Sequence, residues 1–184
     1  MSYKSPKRIV IIGPAGTGKT TIAEIISKKL NIKLIPEQAR IICSQLGYKS
    51  IYQIQNPNNF RFLVLNSQIK LEEKHKEFLS DRSAIDCWVH WLRWSTASAK
   101  TYETERYYLQ AYKQALKYSQ IIYVPLIIKP RNDGFRWNNK DYQLQLHRLF
   151  LATLDSWQLM PRTYFIQSKN IKDRIKEIIS YINN

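Results

Sequence analysis

Gly13-Pro14-Ala15-Gly16-Thr17-Gly18-Lys19-Thr20 fits G-x-x-x-x-G-K-[ST] at every position. An unbroken β-branched run, Arg8-Ile9-Val10-Ile11-Ile12, precedes it, and Ile22, Ile25, Ile26 and Leu30 follow at helical spacing. Strand, glycine-rich turn and helix in that order form a phosphate-binding loop. Glycine reaches positive φ without a Cβ clash, so the loop can turn its amide N–H groups towards an anion. The helix N-terminus adds further donors and its dipole. In such a loop Lys19 reaches the β/γ-phosphates and the Thr20 hydroxyl holds Mg²⁺. Gly13 through Thr20, with Thr21 beside them, are the expected nucleotide-binding residues, and ATP with Mg²⁺ the expected cofactors.

Strands and helices alternate along the whole chain. Strands are predicted at Leu34-Ile35, at Phe78-Leu79-Ser80 ending on Asp81, at Ile121–Val124 and at Tyr164–Ile166. Helices are predicted at Gln38–Leu46, Phe60–Lys76 after a turn and helix start at Asn56-Pro57-Asn58-Asn59, Ile85–Trp94, Glu103–Tyr118, Asp141–Trp157 and Ile171–Ile182. That order predicts an α/β fold, a three-layer P-loop NTPase sandwich with a parallel sheet and helices on both faces. Parallel sheets bind ligands beyond the carboxyl ends of their strands, so the loops after Ile12, Ile35, Ser80 and Val124 should meet at one site. With 184 residues and 44% hydrophobic content, residues 1–184 suit a single domain with its own core. No apolar run reaches the roughly 18 residues of a membrane span. Met1–Lys7 is polar and leads directly into the first strand, so no signal peptide is expected. Cys43 and Cys87 form no disulfide framework or zinc set. Together these point to the cytoplasm and to no membrane partner.

A phosphate loop alone does not separate kinases from other nucleoside triphosphatases. No N-K-x-D segment reads guanine, no D-x-x-G switch falls at a suitable distance, and a motor ATPase usually needs more chain than this. A small kinase fits the length. Glu37 and Arg40, in Pro36-Glu37-Gln38-Ala39-Arg40, are three residues apart and share a helix face after the second strand. A carboxylate there can orient or deprotonate an acceptor hydroxyl, and the cation can offset charge on the moving phosphoryl group. The same pair could also be an ordinary surface ion pair. Asp81-Arg82-Ser83 ends the third strand. Asp81 can hold the water shell of Mg²⁺ or act as the base, and Arg82 can reach acceptor or phosphate oxygens. Ser83 and Asp86 match a helix-capping pattern, which leaves Asp81 and Arg82 for chemistry. Arg131 and Arg136 flank Gly134 in a long polar connection, which reads as a basic lid over the phosphates or as a plain exposed loop. The candidate catalytic set is Lys19, Glu37, Arg40, Asp81, Arg82, Arg131 and Arg136, with Thr20 and Asp81 as metal-binding residues.

The phosphate loop, Pro36–Arg40, Asp81-Arg82-Ser83-Ala84-Ile85-Asp86 and Asp133-Gly134-Phe135-Arg136 together span most of the chain. Through them it resembles the small P-loop family of AAA-like ATPase/kinase domains, which includes the ribosylnicotinamide kinase domain of NAD-salvage regulators. The resemblance implies use of ATP and Mg²⁺, a parallel sheet, and an acceptor pocket between Glu37, Asp81 and the neighbouring helices. It does not fix the acceptor. The adenylyltransferase and DNA-binding parts of those regulators have no counterpart here, so their regulatory role is not carried over. The acid three residues before an arginine is also similar to the acceptor site of polynucleotide 5′-kinases, although the usual residue there is Asp and this chain has Glu37.

The net charge is +15, from 29 Lys+Arg against 14 Asp+Glu. A nucleic-acid partner is therefore possible, although the basic residues are dispersed and equally suit a solvated surface. Trp88, Trp91 and Trp94 recur every three residues, as core packing whose edge can line the acceptor pocket. Lys172, Arg174 and Lys176 are expected on a solvated face. The reading is a kinase moving the γ-phosphate of ATP to a small nucleoside- or nucleotide-like acceptor. The alternatives are a polynucleotide 5′-hydroxyl kinase and a regulatory ATPase without an acceptor. A closed pocket at Glu37 favours the first, a continuous basic groove the second, and a pocket filled by the chain's own side chains the third.

Overall fold

Alternate residues of the first strand face opposite sides of the sheet, and both sides are apolar. In the computed structural model, which describes residues 6–126 and 139–183, Val10 and Ile12 enter one core cluster and Ile9 and Ile11 another. Strand β1 (Arg8–Ile12) therefore lies between two layers of helices. The other elements are α1 (Lys19–Leu30), β2 (Leu34–Ile35), α2 (Gln38–Gln45), α3 (Pro57–Glu73), β3 (Phe78–Asp81), α4 (Ala84–Trp94) and α5 (Thr101–Ala115). They continue with β4 (Gln120–Tyr123), α6 (Lys140–Ser156), β5 (Thr163–Phe165) and α7 (Ile171–Asn183). Short 3₁₀ turns occupy Ile51–Gln53 and Met160–Arg162.

The five strands form one sheet in the order β2-β3-β1-β4-β5, with every pairing parallel. The chain leaves β1 towards one side through α1 and β2, then later crosses to the other side for β4. That reversal beside β1 opens a crevice at its carboxyl end, where the phosphate loop begins. Helices α1 and α7 cover one face through Ile22, Ile26, Ile178 and Ile182. Helices α3 to α6 cover the other, through Leu65, Trp88, Trp91, Tyr107, Leu146 and Phe150. A third cluster of Ile42, Cys43 and Phe60 joins α2 to α3.

Local chemistry sets the helix ends. Asn56 accepts from the Asn59 amide at 3.0 Å, and Pro57 has the φ that a first turn needs, so α3 starts within the Asn56–Asn59 turn where the sequence places a helix start. At the other end α5 stops at Ala115, short of the predicted Tyr118. Tyr118 turns inward instead, and its hydroxyl donates to both oxygens of Glu72 at 3.1 and 3.0 Å. Glu72 is fully buried and also accepts from Gln68 and Gln114. Burial raises its carboxyl to about 7, against the opposing hydrogen bonds from Gln68, Gln114 and Tyr118 and the charge of Arg8. The Ala84 amide, at the start of α4, donates to the same Tyr118 hydroxyl at 3.0 Å. One carboxyl thus joins α3, α5 and the helix that begins at the site.

Candidate active site

Gly13 has φ +129°, and a Cβ built there would lie 2.5 Å from the Val124 carbonyl oxygen. Only glycine lets the loop pass this close to the end of β4. Gly16 and Gly18 also have positive φ, so the loop curls over the N-terminus of α1. Lys19 is buried under that curl, with Nζ donating to the Pro14 carbonyl and, at 3.2 Å, to Thr17 Oγ1. The Thr20 hydroxyl donates to Asp81 Oδ2 at 2.6 Å, joining the loop to the end of β3. Asp81 is only 2% exposed, and its Oδ1 has no hydrogen-bond partner. A buried carboxylate oxygen left open beside the loop threonine fits a hydrated Mg²⁺ ion, and Thr20 and Asp81 are the residues that would hold it.

Arg82 follows in the left-handed region at φ +82°, a strained conformation for a non-glycine residue. Its contacts hold it there. The backbone N–H donates to the Ile11 carbonyl at 3.0 Å. Nη1 donates to the Gly13 carbonyl and to Asp86 Oδ1, both at 2.9 Å. Nε lies 3.4 Å from Glu37 Oε1, an ion pair without hydrogen-bond geometry. Arg40 Nε reaches the other Glu37 oxygen at 3.0 Å. Glu37 is the N-cap position of α2, is 7% exposed, and is flanked by two guanidinium groups. The residues Lys19, Glu37, Arg40, Asp81 and Arg82 therefore converge from three loops at the carboxyl end of the sheet. Arg131 and Arg136 lie outside the described residues.

Asp86 was legible in the sequence only as a capping partner. Ser83 does cap α4, accepting from the Ile85 amide at 3.1 Å, and its hydroxyl donates to Asp86 Oδ2. Asp86 also faces the site. Burial pushes its carboxyl up, opposed by the charges of Arg82 and Lys19. Arg174 is a correction. It is 2% exposed rather than solvated, with Nη1 donating to the Thr17 carbonyl and Nε to the Ser168 carbonyl, both at 2.9 Å. The last helix therefore braces the phosphate loop from behind.

A cavity of about 300 Å³ opens beside Glu37, Arg82 and Asp86. Helices α2, α3 and α4 form its walls with Ala39, Phe60, Val64 and Trp94, and Ile51, Tyr52 and Ile54 close one side. Trp88 and Trp91 are core residues, and only Trp94 of the tryptophan series lines the cavity. Arg61, Gln68, His90 and Tyr107 supply its other polar groups. Burial, then the charges of Arg82, Arg61 and Lys19, holds His90 well below the usual imidazole range, so it is neutral at neutral pH.

A parallel sheet with a phosphate loop at its switch point, and a largely apolar cavity beside that loop, defines the P-loop kinase-like class. The family model for an AAA domain matches residues 8–174, and the chain belongs to that family. Among solved structures it is similar to NadR protein in complex with NR, at a TM-score of 0.79 and 16% identity, covering 98% of this chain and 52% of that one. It is also similar to deoxyadenosine kinase from M. mycoides, at a TM-score of 0.68 and 17% identity, covering 95% and 97%. A shikimate kinase from Caldicellulosiruptor saccharolyticus is 39% identical over 56 residues, which is 30% of this chain and 33% of the relative. The chain thus spans about half of NadR and matches about a third of the shikimate kinase. Among the described residues no helix is long and apolar enough to cross a membrane.

Proposed function

We propose that this chain is an ATP- and Mg²⁺-dependent kinase that transfers the γ-phosphate to a hydroxyl of a small acceptor, of the nucleoside- or nucleotide-like size. The observation that carries this reading is the cavity lined by Glu37, Arg82 and Asp86, with Arg82 bonded to the Gly13 carbonyl of the phosphate loop. Bound ATP would draw Lys19 Nζ from its loop acceptors onto phosphate oxygens, and Mg²⁺ held by Thr20 and Asp81 would offset charge on the triphosphate. Asp81 is engaged with Thr20 and does not line the cavity. Glu37 lines it, and so takes the role of base. Its carboxylate accepts the acceptor's hydroxyl proton, the oxygen bonds to the γ-phosphorus, and the bond to the ADP oxygen breaks. Arg82 and Arg40 hold Glu37 in place and balance its charge.

The cavity also weighs between the alternatives. It is of small-molecule size and largely apolar, which supports a small acceptor over a strand of nucleic acid, and it is not filled by the chain's own side chains, which supports an acceptor over none. The relatives with kinase names point the same way. ATP labelled in the γ-phosphate tests the reading. Glu37→Gln should lower turnover by roughly 100-fold or more while ATP affinity stays within about twofold. Unchanged turnover would remove Glu37 as the base.

A further inference from the structure

We infer that the acceptor carries an anionic group, a carboxylate or a phosphate ester, which Arg61 and His90 bind at the end of the cavity away from the phosphate loop. The inference rests on the kinase reading for the word acceptor, but the subsite is argued from its own residues.

Arg61 stands in the first turns of α3 and lines the cavity. Its Nε donates to the His90 carbonyl at 3.3 Å and its Nη1 to the Pro57 carbonyl at 3.0 Å. Both partners are neutral. Among the described residues no carboxylate pairs with Arg61, and Nη2 has no bonded partner. Other cations of this chain are treated differently. Arg82 faces Glu37 and Asp86, and Arg40 faces Glu37. Arg93 and Arg106 lie over aromatic rings. Burial lowers the Arg61 pKa, yet arginine stays charged. A half-buried cation that lines a largely apolar cavity without a counter-charge is placed to form a charge-assisted hydrogen bond with an anion there.

His90 supplies a second, independent observation. Its Nε2 has no hydrogen-bond partner, and the residue lines the same cavity. As a neutral imidazole it can donate to an anion. The spacing sets the size of the molecule. Asp86 and His90 are one turn apart on α4, about 6 Å along the axis. A molecule with its hydroxyl at Glu37 and Asp86 and its anion at Arg61 has room for a ring or short carbon frame between them. Phe60, Val64, Ile54 and Trp94 provide apolar walls for that frame.

Benzoate, phenyl phosphate and benzamide test this. They share a ring that fits the cavity and differ in charge, and titration into the full chain saturated with Mg·ADP keeps the anions off the phosphate loop. Benzoate or phenyl phosphate should bind roughly tenfold or more tighter than benzamide, and whichever binds better tells carboxylate from phosphate. Arg61→Gln should abolish the preference, and Arg61→Lys should keep part of it, with Mg·ADP affinity in each variant reporting that the fold is intact. Equal binding of benzamide and both anions to the unaltered chain would overturn the inference, whatever the variants do. So would an anion preference that survives Arg61→Gln. Because the readout is binding, a chain that phosphorylates nothing still gives an answer, so failure of the kinase reading is distinguishable from failure of the subsite.

Discussion

Thr20 and Asp81 are 61 residues apart in sequence and 2.6 Å apart in space. That contact gives Asp81 its place beside the loop, and the partnerless Oδ1 gives it something to do there. If Asp81 serves the metal, Asp81→Asn should lower Mg²⁺-dependent turnover by roughly 100-fold or more while metal-free nucleotide binding changes by about twofold at most. Equal losses in both measurements would make Asp81 a structural residue. At this scale the sequence was informative where chemistry is local. The phosphate loop is contiguous, so its glycines, lysine and threonine could be read directly, and Glu37 and Asp81 followed from where strands end. Arg61 and His90 could not be read this way. Their interest lies in a missing carboxylate and an unpaired nitrogen, and both depend on what folds around them. Asp86 was half legible, because the pattern that marks a capping residue says nothing of the cavity on its other side.

The elements show the same division between near and distant contacts. Helix and strand order was legible from periodicity, the start of α3 from Asn56-Pro57, and the end of α5 moved by only a few residues where Tyr118 intervened. The role of α7 was not legible, because Arg174 meets Thr17 across 157 residues of chain. Its charged neighbours Lys172 and Lys176 made it resemble a solvated face. If Arg174 braces the loop, Arg174→Gln should raise the KM for ATP by roughly tenfold and leave the acceptor KM unchanged. A variant with both constants unchanged would show that the loop holds its shape without α7. The Glu72 cluster makes a separate prediction about α3, α5 and α4. Its folded pKa of about 7 lies above the ordinary 4.5, so the folded state binds a proton that the unfolded chain has released. This contribution to stability is complete below pH 4.5 and is lost as pH rises towards and through about 7. Thermal melts across that window should show Glu72→Gln with less loss of stability on raising the pH than the parent chain. Parallel curves for the two proteins would mean that Glu72 does not titrate there.

At the scale of the whole molecule the question is what the +15 charge contributes. A strongly basic chain attracts any polyanion, but attraction is not a designated site. The cations with the closest bearing on the cavity are either paired with carboxylates, as Arg82 and Arg40 are, or part of its lining, as Arg61 is. Polynucleotide binding requires many phosphate contacts, each adding roughly one log unit to the salt slope, whereas a small acceptor touches only the residues of its pocket. The order of strands and the largely apolar cavity beside the loop are what make phosphoryl transfer to a small molecule the central claim. The most direct measurement follows γ-labelled Mg·ATP in the presence of nucleosides, nucleotides, ribosylnicotinamide, small hydroxy acids and 5′-hydroxyl oligonucleotides, at low and physiological salt, with Lys19→Ala as the control. The account predicts a labelled small-molecule product, weakly dependent on salt and lost by roughly 100-fold or more in Lys19→Ala. Oligonucleotide labelling that persists at physiological salt with no small-molecule product, or release of phosphate with no labelled acceptor at all, would contradict it.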